Sequence, residues 1–191
     1  MSAVLAYKFL ARGAIGPISR VPWPRPQQGA GAWLDADAPV ALCRAGVHAC
    51  RVDHLSFWLH EELWQVELDG PLLSGIDCVI SPRGRLLARV DDWSEAGGAQ
   101  RFSAAVRDHA ASLLAGASHS EREALQGYVD DATFHVTNAK LESPALSALC
   151  SAMAVAQLEA RASGGADALE QAYRRERSWQ SAWIVRELGL S

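Results

Sequence analysis

The feature that most constrains the fold is a change of grammar near residue 100. Before it, short apolar runs with period-two character alternate with turn residues. After it, alanine-rich segments carry three- and four-residue periodicity. Residues 4–10, 63–68, 76–80 and 85–90 are the strongest strand candidates, with 33–34 and 40–43 as shorter ones. Asp69-Gly70 and Pro82-Arg83-Gly84 supply turns, the second suited to a hairpin joining 78–80 to 86–90. Pro17, Pro22, Pro24 and Pro26, with Gly29 and Gly31, exclude helix and central strand from 12–32 and predict a long loop. One helix of about three turns is expected within the sheet-rich half, capped by Asp53 and carrying Leu55, Trp58, Leu59 and Glu62.

Four helices are predicted beyond residue 100, at 100–115, 120–137, 144–162 and 166–188. Ser120 to Glu123 has the form of a capping box, Ser143-Pro144 places a cap before a first-turn proline, and Gly164-Gly165 and Gly189 stand where helices stop. Alanine lets helix axes approach closely, leaving Leu146, Leu149, Met153 and Leu158 as the expected interlocking side chains. The predicted fold class is α+β: an N-terminal mostly antiparallel sheet with one short helix, then a C-terminal layer of about four alanine-rich helices. Residues 1–191 are read as a single domain with a sheet-rich half, 1–95, and a helical half, 100–191, packed on the sheet.

A chain of 191 residues buries enough surface to need no metal or disulfide staple. Its 49% hydrophobic and 21% charged residues are those of a globular protein, and a net charge of -4 spread evenly along the chain offers no basic face to nucleic acid. The opening MSAVLAYKFLARG lacks the pattern of a signal peptide, and the stretch between Glu142 and Glu159 is too short and polar for a bilayer span. A cytoplasmic protein with reduced cysteines and no membrane partner is expected.

The densest reactive cluster runs from Cys43 through His48 to Cys50, with His54 and His60 beyond. Cys43, His48 and Cys50, with Cys78 or His54 as a fourth ligand, have the chemistry of a zinc site, although the Cys-x6-Cys spacing lacks a second knuckle. The same residues suit thiol or imidazole catalysis, and free cysteines are also ordinary buried packing. Seven tryptophans exceed what a core readily accommodates, because every buried indole N–H needs an acceptor. Trp23 and Trp33, in irregular backbone near the cluster, are therefore candidate walls for an aromatic or cationic ligand. Tyr128, Asp131 and His135 fall on one helical face, where a carboxylate can orient an imidazole or where they form a plain surface pair. Gly29-x-Gly31 lacks the third glycine of a dinucleotide fingerprint, and there is no phosphate loop or nucleophile elbow.

Cys43-x2-Gly46-Val47-His48-Ala49-Cys50, a Trp-bearing helix, and then Leu63 through Gly70 resemble a family of uncharacterised bacterial and phage proteins. That family shares an opening Tyr-Lys-Phe strand, here Tyr7-Lys8-Phe9, and the resemblance covers about the first 90 residues. The order of elements is also distantly similar to ADP-ribosyltransferase-type folds. That second resemblance implies an NAD-using enzyme with Tyr7, His48 and Glu67 in the nicotinamide-site places. From the cluster itself, the expected function is binding and chemical modification of a small, aromatic organic molecule. His48 would be the base or hydrogen-bonding group, Cys50 the nucleophile, Trp23 and Trp33 the stacking walls, with His54 beside them. A non-catalytic interaction module and a zinc-stabilised domain are the alternatives; no cofactor is named by any motif.

Overall fold

The computed structural model describes residues 3–42, 44–138, 143–165 and 167–191, and side chains outside 133–143. The chain forms two compact units, Met1–Ala96 with Leu190–Ser191 and Gly97–Gly189. The architecture is α+β, with antiparallel strands in the N-terminal part and helices in the C-terminal part, as the periodicity predicts.

The first unit contains β1 (Val4–Leu10), β2 (Leu34–Asp35), β3 (Val47–Ala49), β4 (Glu62–Asp69), β5 (Leu73–Ser74), β6 (Val79–Ser81), β7 (Arg83–Arg89) and a single-turn α1 (Asp91–Ser94). One sheet has the order β1-β4-β7-β2 and the other β3-β6-β5. Two links join them into a ring. Tyr7 and Cys50 exchange backbone hydrogen bonds of 2.8 and 2.7 Å, which lays β3 along the free edge of β1. On the opposite side β6 runs into β7 through Pro82, whose missing N–H ends one ladder as the next begins.

This corrects the expected hairpin: 82–84 is a bend in one path that pairs first with β3 and then with β4. The turn at Gly75–Cys78 makes the local hairpin instead, between β5 and β6, and it leaves Ile76 exposed outside any strand. Residues 40–42 form no strand, and Cys43 lies outside the described residues. The short helix is also corrected. It is a 3-10 helix, Val52–Trp58, with Asp53 inside its first turn and no side-chain cap, and Glu62 already belongs to β4.

Inside the ring, alternate residues form the core: Ala6 and Leu10 from β1, Val47 and Ala49 from β3, Trp64, Val66 and Leu68 from β4. The interior is narrow. A Cβ added to Gly84 would lie 2.8 Å from Val47 Cγ1 and 3.1 Å from Leu68 Cδ2. Gly84→Ala is therefore expected to destabilise by about 1–3 kcal/mol through overpacking. A lowered urea midpoint checks this, and an unchanged one would mean that the ring is not closed tightly at that point.

The second unit contains α2 (Gly98–Ala115), α3 (His119–Asn138), α4 (Ser143–Ser163) and α5 (Ala168–Leu188). Gly164 and Gly189 have φ of +63° and +60°, the left-handed geometry that stops a helix. Pro144 sits in the first turn of α4, as expected. The capping box is displaced two residues from its expected place. Ser118 N–H donates to Glu121 Oε2 at 2.9 Å while Glu121 N–H donates to Ser118 Oγ at 3.4 Å.

α4 packs against α2, α3 and α5, and its buried surface is Ser147, Ala148, Ser151, Ala152, Ala154, Val155 and Ala156. Leu146 and Leu149, expected to interlock, are exposed, because the close helix approaches are made over small side chains. Leu158 does pack on the core of Leu114, Leu125 and Val129. Among the described residues no helix is long and apolar enough to cross a membrane.

Candidate functional site

A cleft of about 810 Å3 opens in the first unit beside the middle of β1, bounded by the 16–23 loop, the 34–38 segment and the 44–50 segment that contains β3. Its volume is that of a small-molecule site. Of the residues singled out from sequence, Tyr7, Trp23, His48 and Cys50 line it, whereas Trp33, His54 and Glu67 do not.

The side chains that miss the cleft have other work. Glu67 lies on β4 and accepts from Arg85 Nε at 2.6 Å, an ion pair across the β4–β7 ladder. It is therefore not gathered with Tyr7 and His48 in the cleft. Trp33 is flanked by the Arg83 and Arg85 guanidinium groups, 4.4 and 4.5 Å from its ring centroid. His54 packs edge-on to Phe57 with ring centroids 6.4 Å apart, its Nδ1 3.7 Å from Asp53.

Tyr7 contributes its strand position more than its hydroxyl, which donates to Ser191 O at 3.1 Å and accepts from Ser191 N–H at 3.3 Å. Cys50 is buried, donates to Tyr7 O at 3.4 Å, and has its thiol pushed up to about 12 by burial. At neutral pH it is a protonated thiol, without the thiolate that nucleophilic attack requires. His48 is partly buried on β3, and its Nδ1 lies 3.0 Å from Gly46 O. A carbonyl only accepts, so Nδ1 carries a proton, and the tautomer this selects has its lone pair on Nε2. His48 thus has the form of a hydrogen-bond acceptor or base.

Among the described residues no group of three potential ligands is arranged to hold a metal. Cys43, the first of the proposed zinc ligands, lies outside those residues. The Asp131–His135 face lies on α3, and the His135 side chain is likewise outside them.

Lys8 belongs to no catalytic motif in the sequence. It alternates with Ala6 and Leu10 on the inward face of β1 and pairs across the ladder with Trp64. Its Nζ donates to His48 O at 2.5 Å and lies 5.2 Å from the Trp23 ring centroid. Burial pulls this amine down to about 8, opposed by the neighbouring Cys50. At pH 7 about a tenth of it is neutral, on the order of a hundred times the fraction of an exposed lysine. Two signals in the sequence mark it. Lys8 stands where the alternation of 4–10 asks for an apolar residue, and it is one of two lysines in a chain with 18 lysines and arginines together.

Trp58 forms a further wall, anchored by Nε1–H donation to Asp77 O at 2.7 Å. Cys78 also lines the cleft, and the β3–β6 register carried one residue past Ala49↔Val79 sets it opposite Cys50. The lining is thus mostly apolar, with the two thiols, the Lys8 amine and the charged residues Asp35, Asp37, Asp77 and Arg44. No family model, no curated protein and no solved structure matches the chain.

Proposed function

We propose that the first unit binds, and chemically modifies, a small aromatic molecule in the cleft beside β1. The observation that carries this reading is the joint placement of two indole walls, Trp23 and Trp58, with a buried amine and an imidazole in a cleft of about 810 Å3. Aromatic walls supply most of the contact area, and a few fixed polar groups set orientation, the usual division of labour in such sites. With Nδ1–H of His48 directed at Gly46 O, Nε2 is the atom available as base or acceptor, and the Lys8 amine is a further polar group in the lining.

The test has two parts. Native mass spectrometry of the purified protein is expected to show an organic adduct or, if the cleft is empty, thermal shift and calorimetry with benzoate, benzaldehyde, benzyl alcohol and indole should detect binding. His48→Ala is expected to weaken the best of these about tenfold, the value of one hydrogen bond, with the fold intact by circular dichroism. Absence of binding by all four probes at millimolar concentration, with no adduct, would overturn the reading. Unchanged affinity in the variant would remove His48 from it.

A further inference from the structure

We propose that Lys8 is an imine-forming residue: the cleft takes an aromatic aldehyde, and Nζ condenses with its carbonyl carbon. This rests on the ligand-site reading above and names the chemical class of the ligand.

The placement of Lys8 makes a purely structural role expensive. An inward residue between Ala6 and Leu10, opposite Trp64, would pack best as an aliphatic side chain. Its ammonium has one hydrogen-bond acceptor, the His48 carbonyl, and the π face of Trp23, and among the described residues no carboxylate forms an ion pair with it. A largely desolvated cation so thinly compensated is costly. Lysines depressed by burial are those that serve as bases and Schiff-base formers.

The electrostatics also favour a carbonyl over an acid. A carboxylate ligand would enter a cleft already lined by Asp35, Asp37 and Asp77, whereas an imine is a weaker base than the amine and relieves the burial of its charge. An aromatic aldehyde presents a ring to Trp23, whose centroid lies 5.2 Å from Nζ, and a single reactive carbon to Nζ.

The chemistry balances without a co-reactant. The neutral amine's lone pair forms the N–C bond as the carbonyl π pair moves to oxygen. The two amine protons then leave with that oxygen as water, giving C=N. No electrons are gained or lost. Hydrolysis reverses the step, and the link becomes permanent only when a hydride donor is added.

The experiment treats the full-length protein with benzaldehyde and sodium cyanoborohydride at pH 7, followed by intact mass measurement and peptide mapping. The competing amines are Lys140 and the α-amino group. Reduction is expected to fix one benzyl group on Lys8, at least ten times faster than on Lys140. The Lys8 rate should rise through about pH 8, while an exposed lysine keeps rising beyond pH 10. Lys8→Arg should abolish the fast adduct while retaining the far-ultraviolet spectrum. The wild-type mapping decides the question by itself if that variant does not fold.

Labelling of Lys8 no faster than Lys140, in a protein that still binds benzyl alcohol or benzoate, would overturn the imine and leave the ligand site standing. Failure of every aromatic probe to bind or label would overturn both.

Discussion

Glu62→Ala is expected to destabilise the first unit by about 3–5 kcal/mol, the largest effect of any single polar substitution in it. Glu62 opens β4 opposite Leu10 and is 8% exposed. Its Oε1 accepts from Gly13 N–H at 2.9 Å, and its Oε2 accepts from Ala14 N–H at 3.1 Å and Trp64 Nε1–H at 3.0 Å. Glu61 Oε2 accepts from Arg12 N–H at 2.8 Å. Three successive amides thus turn toward two carboxylates, an anion-holding concavity built from backbone.

The geometry requires left-handed backbone at Gly13 and Ala14, with φ of +84° and +61°. At Ala14 that conformation costs about 1–2 kcal/mol, which the bonds to Glu62 offset. Truncation would strand three donors, two of them buried, at about 1–3 kcal/mol each. Glu62→Gln keeps the shape but turns an NH2 toward an N–H, and it should cost about 2 kcal/mol.

Urea denaturation followed by tryptophan fluorescence measures the loss, and amide exchange at Gly13 and Ala14 localises it. An alanine variant within about 1 kcal/mol of wild type would show that these bonds are no better than those to water. The consequence for function is direct. Ala14 N–H is bound to Glu62 and Ala14 O accepts from Trp23 N–H at 2.8 Å, so loosening the carboxylate releases one wall of the cleft.

The elements that sequence reveals here are those whose signal is local. Residues 4–10 alternate and are bounded by turn chemistry, and β1 spans Val4–Leu10. The helices stop at the glycines that could stop them. Pro82 misleads because its local chemistry fits a turn equally well, while the partners of the flanking strands, β3 and β4, lie far off in the chain.

The tryptophans are less in surplus than their number suggests. Their number reads as surplus when each buried N–H is counted as a debt, yet acceptors are found: Glu62 of the same strand for Trp64, and the more distant His60 O for Trp93 and Asp77 O for Trp58. In the second unit Trp179 stacks on His109 with centroids 3.9 Å apart. The site was half legible. Tyr7, Trp23, His48 and Cys50 converge because β1 and β3 meet at the Tyr7–Cys50 bridge, a pairing no motif announces. Lys8 escaped because a lysine in a strand is ordinarily solvent-facing, and only the identity of its inward neighbours shows otherwise.

Glu176→Gln is expected to stabilise the second unit at pH 8 by up to about 3 kcal/mol and to change it little near pH 4.5. Glu176 is 4% exposed on α5. His109 of α2 faces it with Nε2 3.3 Å from Oε2, Gln180 donates to its Oε1 at 3.4 Å, and Arg177 and the Glu159 carboxylate of α4 act on it electrostatically. Burial pushes its carboxyl up to about 7, with Glu159 adding to the shift and Gln180 and Arg177 opposing it.

A carboxyl raised in the folded state favours the proton there. Below its ordinary value of 4.5 both folded and unfolded chains are protonated and the contribution is intact. Between 4.5 and about 7 the unfolded chain ionises while the folded one does not, so stability falls as pH rises, and above about 7 the loss is complete. Glutamine keeps a neutral hydrogen-bonding group in place and removes this slope.

His109, which burial holds below its ordinary 6.5, acts in the opposite sense: its contribution is present above 6.5 and fades as pH falls. Because His109 faces residue 176, the difference between the two proteins reports Glu176 together with its effect on His109. Thermal melts at 222 nm from pH 4.5 to 8 should show the two curves diverging across that window. Parallel curves, or a variant less stable at pH 8, would mean that Glu176 is ionised in the folded helices and held by His109 as an ion pair.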